Sequence, residues 1–182
     1  IAAASFFDRL QHADAMGITV SDAKIDVGKL QAWKEGIVKK LPTGVRGLVR
    51  GNGAEILPGT ARLVGPNAVE VVGPEGDVRI EAAKGIVVAT GARPIEIPGF
   101  KFDGKVVVGA REAVSFAEVP KRLAIIGGGV IGLELGMVWA KLGSALTVIE
   151  MMPQLLPGTD PDLVAVVQRR LTKLGAQIHL EA

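Results

Sequence analysis

Three glycines and one acid are the residues whose types and spacing could do chemistry. Gly127, Gly129 and Gly132 spell G-x-G-x-x-G inside R-L-A-I-I-G-G-G-V-I-G-L-E (122–134). An apolar run precedes them, helically spaced apolar residues follow, and a second apolar run, L-T-V-I (146–149), ends on Glu150. Strand, glycine turn, helix, strand and acid in that order suit a dinucleotide. Gly127 permits the tight turn, Gly129 lets a pyrophosphate approach the backbone, and Gly132 lets the helix pack closely on the strand. The phosphates would lie along the loop Gly127–Gly132, with Gly128, Val130 and Ile131 among its residues. There they meet free N–H groups and the positive end of a helix, so no lysine is needed. Glu150 stands about 20 residues beyond the glycines, where the carboxylate accepts from the adenosine ribose hydroxyls. It would repel a 2′-phosphate, and no arginine follows among Met151, Met152, Pro153 and Gln154, so NAD is favoured over NADP. A glycine-rich turn that binds nothing is the competing reading, and the register of all five features weighs against it.

The elements that must position these residues follow from hydrophobic period. Ile1, Ala4, Ser5, Leu10 and Ala13 give a helix over residues 1–16, ended by Gly17. A second, longer helix begins near Asp26, with Val27, Leu30, Ile37, Val38, Leu41, Val45, Leu48 and Val49 on one face and Pro42 expected to kink it. From Gly51 the period becomes two, and short strands at 54–57, 60–64, 68–72 and 78–81 describe an antiparallel meander. Gly85–Ala89 reads as a strand buried on both faces, and it runs into Thr90-Gly91-Ala92. A turn-rich connection, a short strand at 106–108 and a helical turn at 110–117 lead to Pro120. Beyond it, strands at 123–126, 145–149 and 177–180 alternate with helices at 131–142 and 161–174, which implies a parallel sheet.

Composition narrows the class further. The 182 residues suffice for one good core or two small domains, and 24 glycines suggest backbone held close to a ligand. A net charge of +2 with scattered basic residues gives no reason to expect nucleic acid. With no cysteine there is no disulfide, thiolate nucleophile or thiolate metal site, and His12 and His179 are too far apart in sequence to suggest a metal. No apolar run approaches a membrane span, so a soluble, cytoplasmic protein is expected. The chain starts on I-A-A-A-S-F-F and stops on H-L-E-A, and it reads as an interior piece of something longer.

Beyond these patterns, I-V-V-A-T-G-A-R-P (86–94) followed by P-K-R-L-A-I-I-G-G-G-V-I-G-L-E (120–134) resembles the flavoprotein disulfide reductases. K-L-Q-A-W-K-E-G-I-V-K-K-L (29–41), G-T-A-R-L-V-G-P-N-A-V-E-V (59–71) and V-I-E-M-M-P-Q-L-L-P-G-T-D (148–160) are similar to the dihydrolipoamide dehydrogenases within that family. The resemblance runs from end to end. It implies an α/β chain with two Rossmann-like nucleotide-binding domains. Residues 1–118 would be a partial FAD domain with an antiparallel β-meander, and residues 119–182 the first half of an inserted NAD domain.

The resemblance also implies roles for residues. Thr90, Gly91 and Ala92 would touch FAD, and Ala61, where relatives often have glycine, would meet its adenine end through backbone. Val130 falls where relatives place a residue over the flavin, and Glu134 where they pair a glutamate with a lysine. The family's cysteine pair, first FAD fingerprint and C-terminal interface domain with its His–Glu pair are absent, so no residue here is expected to be catalytic. The implied activity of a parent protein is NAD-dependent oxidation of the lipoyl group of a 2-oxo acid dehydrogenase complex, through a disulfide and FAD. The parent would be a homodimer joined through regions outside residues 1–182. A mercuric reductase, a pyridine nucleotide transhydrogenase or a non-catalytic dinucleotide-binding chain remain the alternatives.

Overall fold

Ala-rich and long-chain residues between Ile1 and Met16 form α1 (Ala2–Gln11) and a 3-10 turn (Ala13–Met16), stopped by Gly17 at φ 76°. In the computed structural model, which describes residues Ile1–Ala182, the chain divides into two units: Ile1–Lys34 with Pro94–Ala182, and Glu35–Arg93. Helix α2 (Val27–Gly51) crosses from the first into the second and remains helical through Pro42. Its apolar face is expected from period, yet none of its residues is buried.

In the second unit, β1 (Thr60–Leu63), β2 (Ala68–Gly73) and β3 (Gly76–Glu81) make the expected antiparallel meander, in the order β1-β2-β3. Ala61 faces Val71 across the first ladder, and Val71 faces Val78 across the second. Residues 54–57 and 85–89 are not strands. Gly85–Ala89 has the composition of a central strand, but a strand exists only through ladder hydrogen bonds, and no element of the chain pairs with it. Val87 is 90% exposed and Val88 66%.

The first unit holds the alternating part. After the four-residue helix α3 (Ala110–Ala113) come β4 (Arg122–Ile126), α4 (Val130–Lys141), β5 (Ala145–Ile149), α5 (Pro161–Lys173) and β6 (Gln177–His179). All three strands are parallel, in the order β4-β5-β6, with Ile125 beside Val148 and Val148 beside Ile178. Leu133 of α4, Leu146 and Val148 of β5, and Val164 and Leu171 of α5 close the core with Leu155. A second cluster gathers Ala4, Trp139 and Leu142, with Phe7, Leu30 and Phe116 packed against them. Trp139 donates its indole N–H to Ala113 O at 2.9 Å, which meets the need of a buried ring for a polar partner. Asp8 of α1 joins Arg170 of α5 at 2.8 Å.

The strand expected at 106–108 is a turn. Asp103 Oδ1 accepts from the amides of Lys105, Val106 and Val107 at 2.8, 2.8 and 2.9 Å. One side chain thus captures the donors that a ladder would have used.

Candidate nucleotide-binding site

The site grows from the end of β4. Gly127 takes φ 99°, a left-handed value open to glycine at little cost, and turns the chain from strand into helix. Its amide donates to Ile149 O at 2.8 Å, so the turn is tied to β5. Gly129 caps α4, and a side-chain carbon added there would meet nothing within 4 Å. The first helical amide with an intrahelical acceptor is that of Leu133, which donates to Gly129 O at 3.1 Å. The amides of Val130, Ile131 and Gly132 therefore lie in the first turn, where α-helix geometry offers them no carbonyl. Val130 and Ile131 are 61% and 65% exposed. An open rim, a bare glycine and three free donors at a helix N-terminus are what a diphosphate requires.

Gly132 does what its position in the pattern suggests. A Cβ there would come within 2.7 Å of Ile125 Cγ2 and 3.2 Å of Gly127 O. The same closeness extends one turn on, where a Cβ on Gly136 would lie 3.2 Å from Leu146 and 3.3 Å from Ile125. Two small residues therefore let α4 lie on β4 and β5.

Glu150 reaches back to the same loop. It is 7% exposed, its Oε2 accepts from Gly128 N at 2.5 Å, and its Oε1 accepts from Met152 N at 2.7 Å. Each carboxylate oxygen has two acceptor sites, so both retain capacity for a further donor. Gly128 itself is buried, unlike its neighbour Gly129. Its carbonyl accepts from Leu156 N at 2.8 Å.

Sequence period gave no sign of the segment that completes this arrangement. Met151–Thr159 has no regular structure, yet Leu155 is fully buried beneath Gly128 and Leu156 adopts φ 51°. Turn residues Pro153, Pro157 and Gly158 mark the segment as a loop. That Leu155 joins the core depends on a tertiary fit that pattern alone does not express.

Glu134, on the exposed part of α4, lies in the same unit as the glycine loop. The residues expected to meet the flavin fall in the other: Ala61 in β1, and Thr90, Gly91 and Ala92 in an exposed, irregular segment with Gly91 at φ 83°. No group of three or more His, Cys, Asp or Glu side chains is placed to hold a metal ion. No helix is long and apolar enough to cross a membrane.

A parallel β-α-β unit with a glycine turn opening its first helix and an acid ending its second strand defines a dinucleotide-binding class of protein. The chain belongs to the pyridine nucleotide-disulphide oxidoreductase family, whose model matches residues 6–182. Among curated relatives, it is 39% identical to the dihydrolipoyl dehydrogenase of Geobacillus stearothermophilus, over 100% of this chain and 38% of that one. It is 41% identical to the dihydrolipoyl dehydrogenase of Haloferax volcanii, over 93% of this chain and 36% of the relative. The chain thus spans little more than a third of the length of these relatives.

Solved structures show the same fold. LpdA from Mycobacterium tuberculosis superposes with a TM-score of 0.85 over 100% of this chain and 40% of that one, at 22% identity. The HOCl-induced flavoprotein disulfide reductase RclA from Escherichia coli gives 0.72 over 97% of this chain and 39% of its own, at 24% identity.

Proposed function

We propose that residues 1–182 are the cofactor-binding part of an NAD-dependent dihydrolipoyl dehydrogenase that serves 2-oxo acid dehydrogenase complexes. The observation that carries this reading is the pairing of the open α4 N-terminus with Glu150 at the end of β5. In this proposal residues 119–182 are the first half of an NAD domain and residues 1–118 part of an FAD domain. The amides of Gly129, Val130, Ile131 and Gly132 hold the pyrophosphate, and the remaining lone pairs of Glu150 take the ribose hydroxyls. Thr90, Gly91, Ala92 and Ala61 offer backbone to FAD, Val130 lies toward the flavin, and Glu134 stands near it. When bound, the two cofactors supply the electron transfer, and protein residues fix distance and orientation. This chain contributes no acid, base or nucleophile. Dimer formation and a cytoplasmic location belong to the same proposal.

The curated relatives' name favours the lipoyl reaction over the mercuric reductase and transhydrogenase readings. Dihydrolipoamide-dependent reduction of NAD, recorded with a visible spectrum on the purified polypeptide, tests it. Turnover with a flavin spectrum is expected from a protein that carries the relatives' full length. Flavin without lipoamide turnover would overturn the substrate assignment, and a chain that binds NAD with neither would be a dinucleotide-binding module.

A further inference from the structure

Gly128 stands at the first variable position of G-x-G-x-x-G, between the two glycines whose roles the pattern explains. Its amide hydrogen is engaged by Glu150 Oε2, and its carbonyl accepts from Leu156 N. One backbone amide has one hydrogen, and the buried carboxylate already holds it, so a phosphate would have to share or displace that bond. Gly128 is itself buried, whereas Gly129, Val130 and Ile131 are exposed. A side chain there would have to displace the buried Leu155: a Cβ would lie 2.6 Å from Leu155 Cδ2, 3.1 Å from Glu150 Oε2 and 3.4 Å from Glu150 Cβ. Glu150 meanwhile holds Met152 N with its other oxygen, so one carboxylate joins the glycine loop to the start of the 151–159 segment. Leu156 completes the tie from a left-handed conformation that a leucine holds only when its surroundings impose it.

We propose that Gly128 is a positioning residue, which docks the phosphate loop onto Met152–Leu156 through Glu150 and leaves phosphate contact to Gly129, Val130, Ile131 and Gly132. This rests on the reading of the loop as a dinucleotide site. Its consequence is that the loop is set before any ligand arrives, with Glu150 oriented toward the ribose by two backbone donors. The identity of the residue at 128 is then coupled to the size of the residue at 155, although only the first lies in the fingerprint.

The experiment uses the full chain and three variants, Gly128→Ala, Leu155→Val and the pair, with amide hydrogen exchange measured without cofactor and NAD affinity by calorimetry. In the unsubstituted chain the Gly128 and Met152 amides should be protected, and Gly128→Ala should expose them. Gly128→Ala should weaken NAD binding roughly tenfold, within the usual coupling of touching residues, and Leu155→Val, which removes the obstructing carbon, should restore most of the loss in the double variant. A double variant as weak as Gly128→Ala, or a Gly128 amide that exchanges as fast as an unbonded loop amide, would overturn the proposal. A chain that binds no NAD yet shows the protected amide, and loses it in Gly128→Ala, would sink the nucleotide reading while upholding the docking of the loop.

Discussion

At the scale of single residues, the site depends on close approach and on one carboxylate with several partners. Glu150 is both the expected ribose acceptor and the acceptor for Gly128 and Met152. Glu150→Ala should therefore weaken NAD binding by about 1–3 kcal/mol, the range for an acceptor that is charged. Unchanged affinity by calorimetry would remove Glu150 from the site. Gly132→Ala tests the helix–strand contact instead. A methyl group placed 2.7 Å from Ile125 Cγ2 must displace either the helix or the strand. A loss of about 1–3 kcal/mol in chemical denaturation is expected from such overpacking. A variant as stable as the parent would mean that α4 does not lie this close to β4.

Among the elements, the start of α5 and the 103–107 turn have causes in neighbouring residues. Helix α5 begins where Asp160 accepts from Asp162 N at 3.0 Å with Pro161 in the first turn, a start signal carried wholly by sequence. The 103–107 turn also has a local cause. The amides of Lys105, then Val106 and Val107, hold the Asp103 carboxyl below its ordinary 3.8. A depressed carboxylate contributes stability that is present above the unfolded value and is lost as pH falls through the lower, folded one. An NMR titration should accordingly find Asp103 ionising below 3.8, with the Val106 and Val107 amides losing protection over the same acid range. A midpoint at or above the ordinary value would show that the turn is not held by this side chain.

For the whole molecule, what matters is which apolar residues find partners. Trp139 is 2% exposed, lies 5.3 Å from the Phe116 ring and packs with Ala4 and Leu142. Replacing it by alanine should cost about 3–5 kcal/mol, read from denaturant midpoints, because a large cavity opens and Ala113 O loses its donor. Val87 and Val88 are the contrary case. In the 182-residue chain, where Val87 and Val88 are 90% and 66% exposed, Val87→Thr and Val88→Thr should each leave stability within about 0.5 kcal/mol of the parent. A marked fall in the melting temperature would mean that Gly85–Ala89 is buried after all.

The sequence by itself determined the meander, the alternation of β4 to β6 with α4 and α5, and the placing of Gly127, Gly129, Gly132 and Glu150 around one turn. Their signals, namely period, capping and the φ that a glycine allows, are written in neighbouring residues, although the strands still need their ladders to form. Tertiary structure decided the remainder. Within residues 1–182 it gave Gly85–Ala89 no strand partner, and an apolar run becomes a strand only beside another strand. It buried Leu155 under Gly128 where period gave no hint. It also gave Glu150 two backbone donors to hold, because which groups meet a buried carboxylate is fixed by three-dimensional fit and not by spacing along the chain.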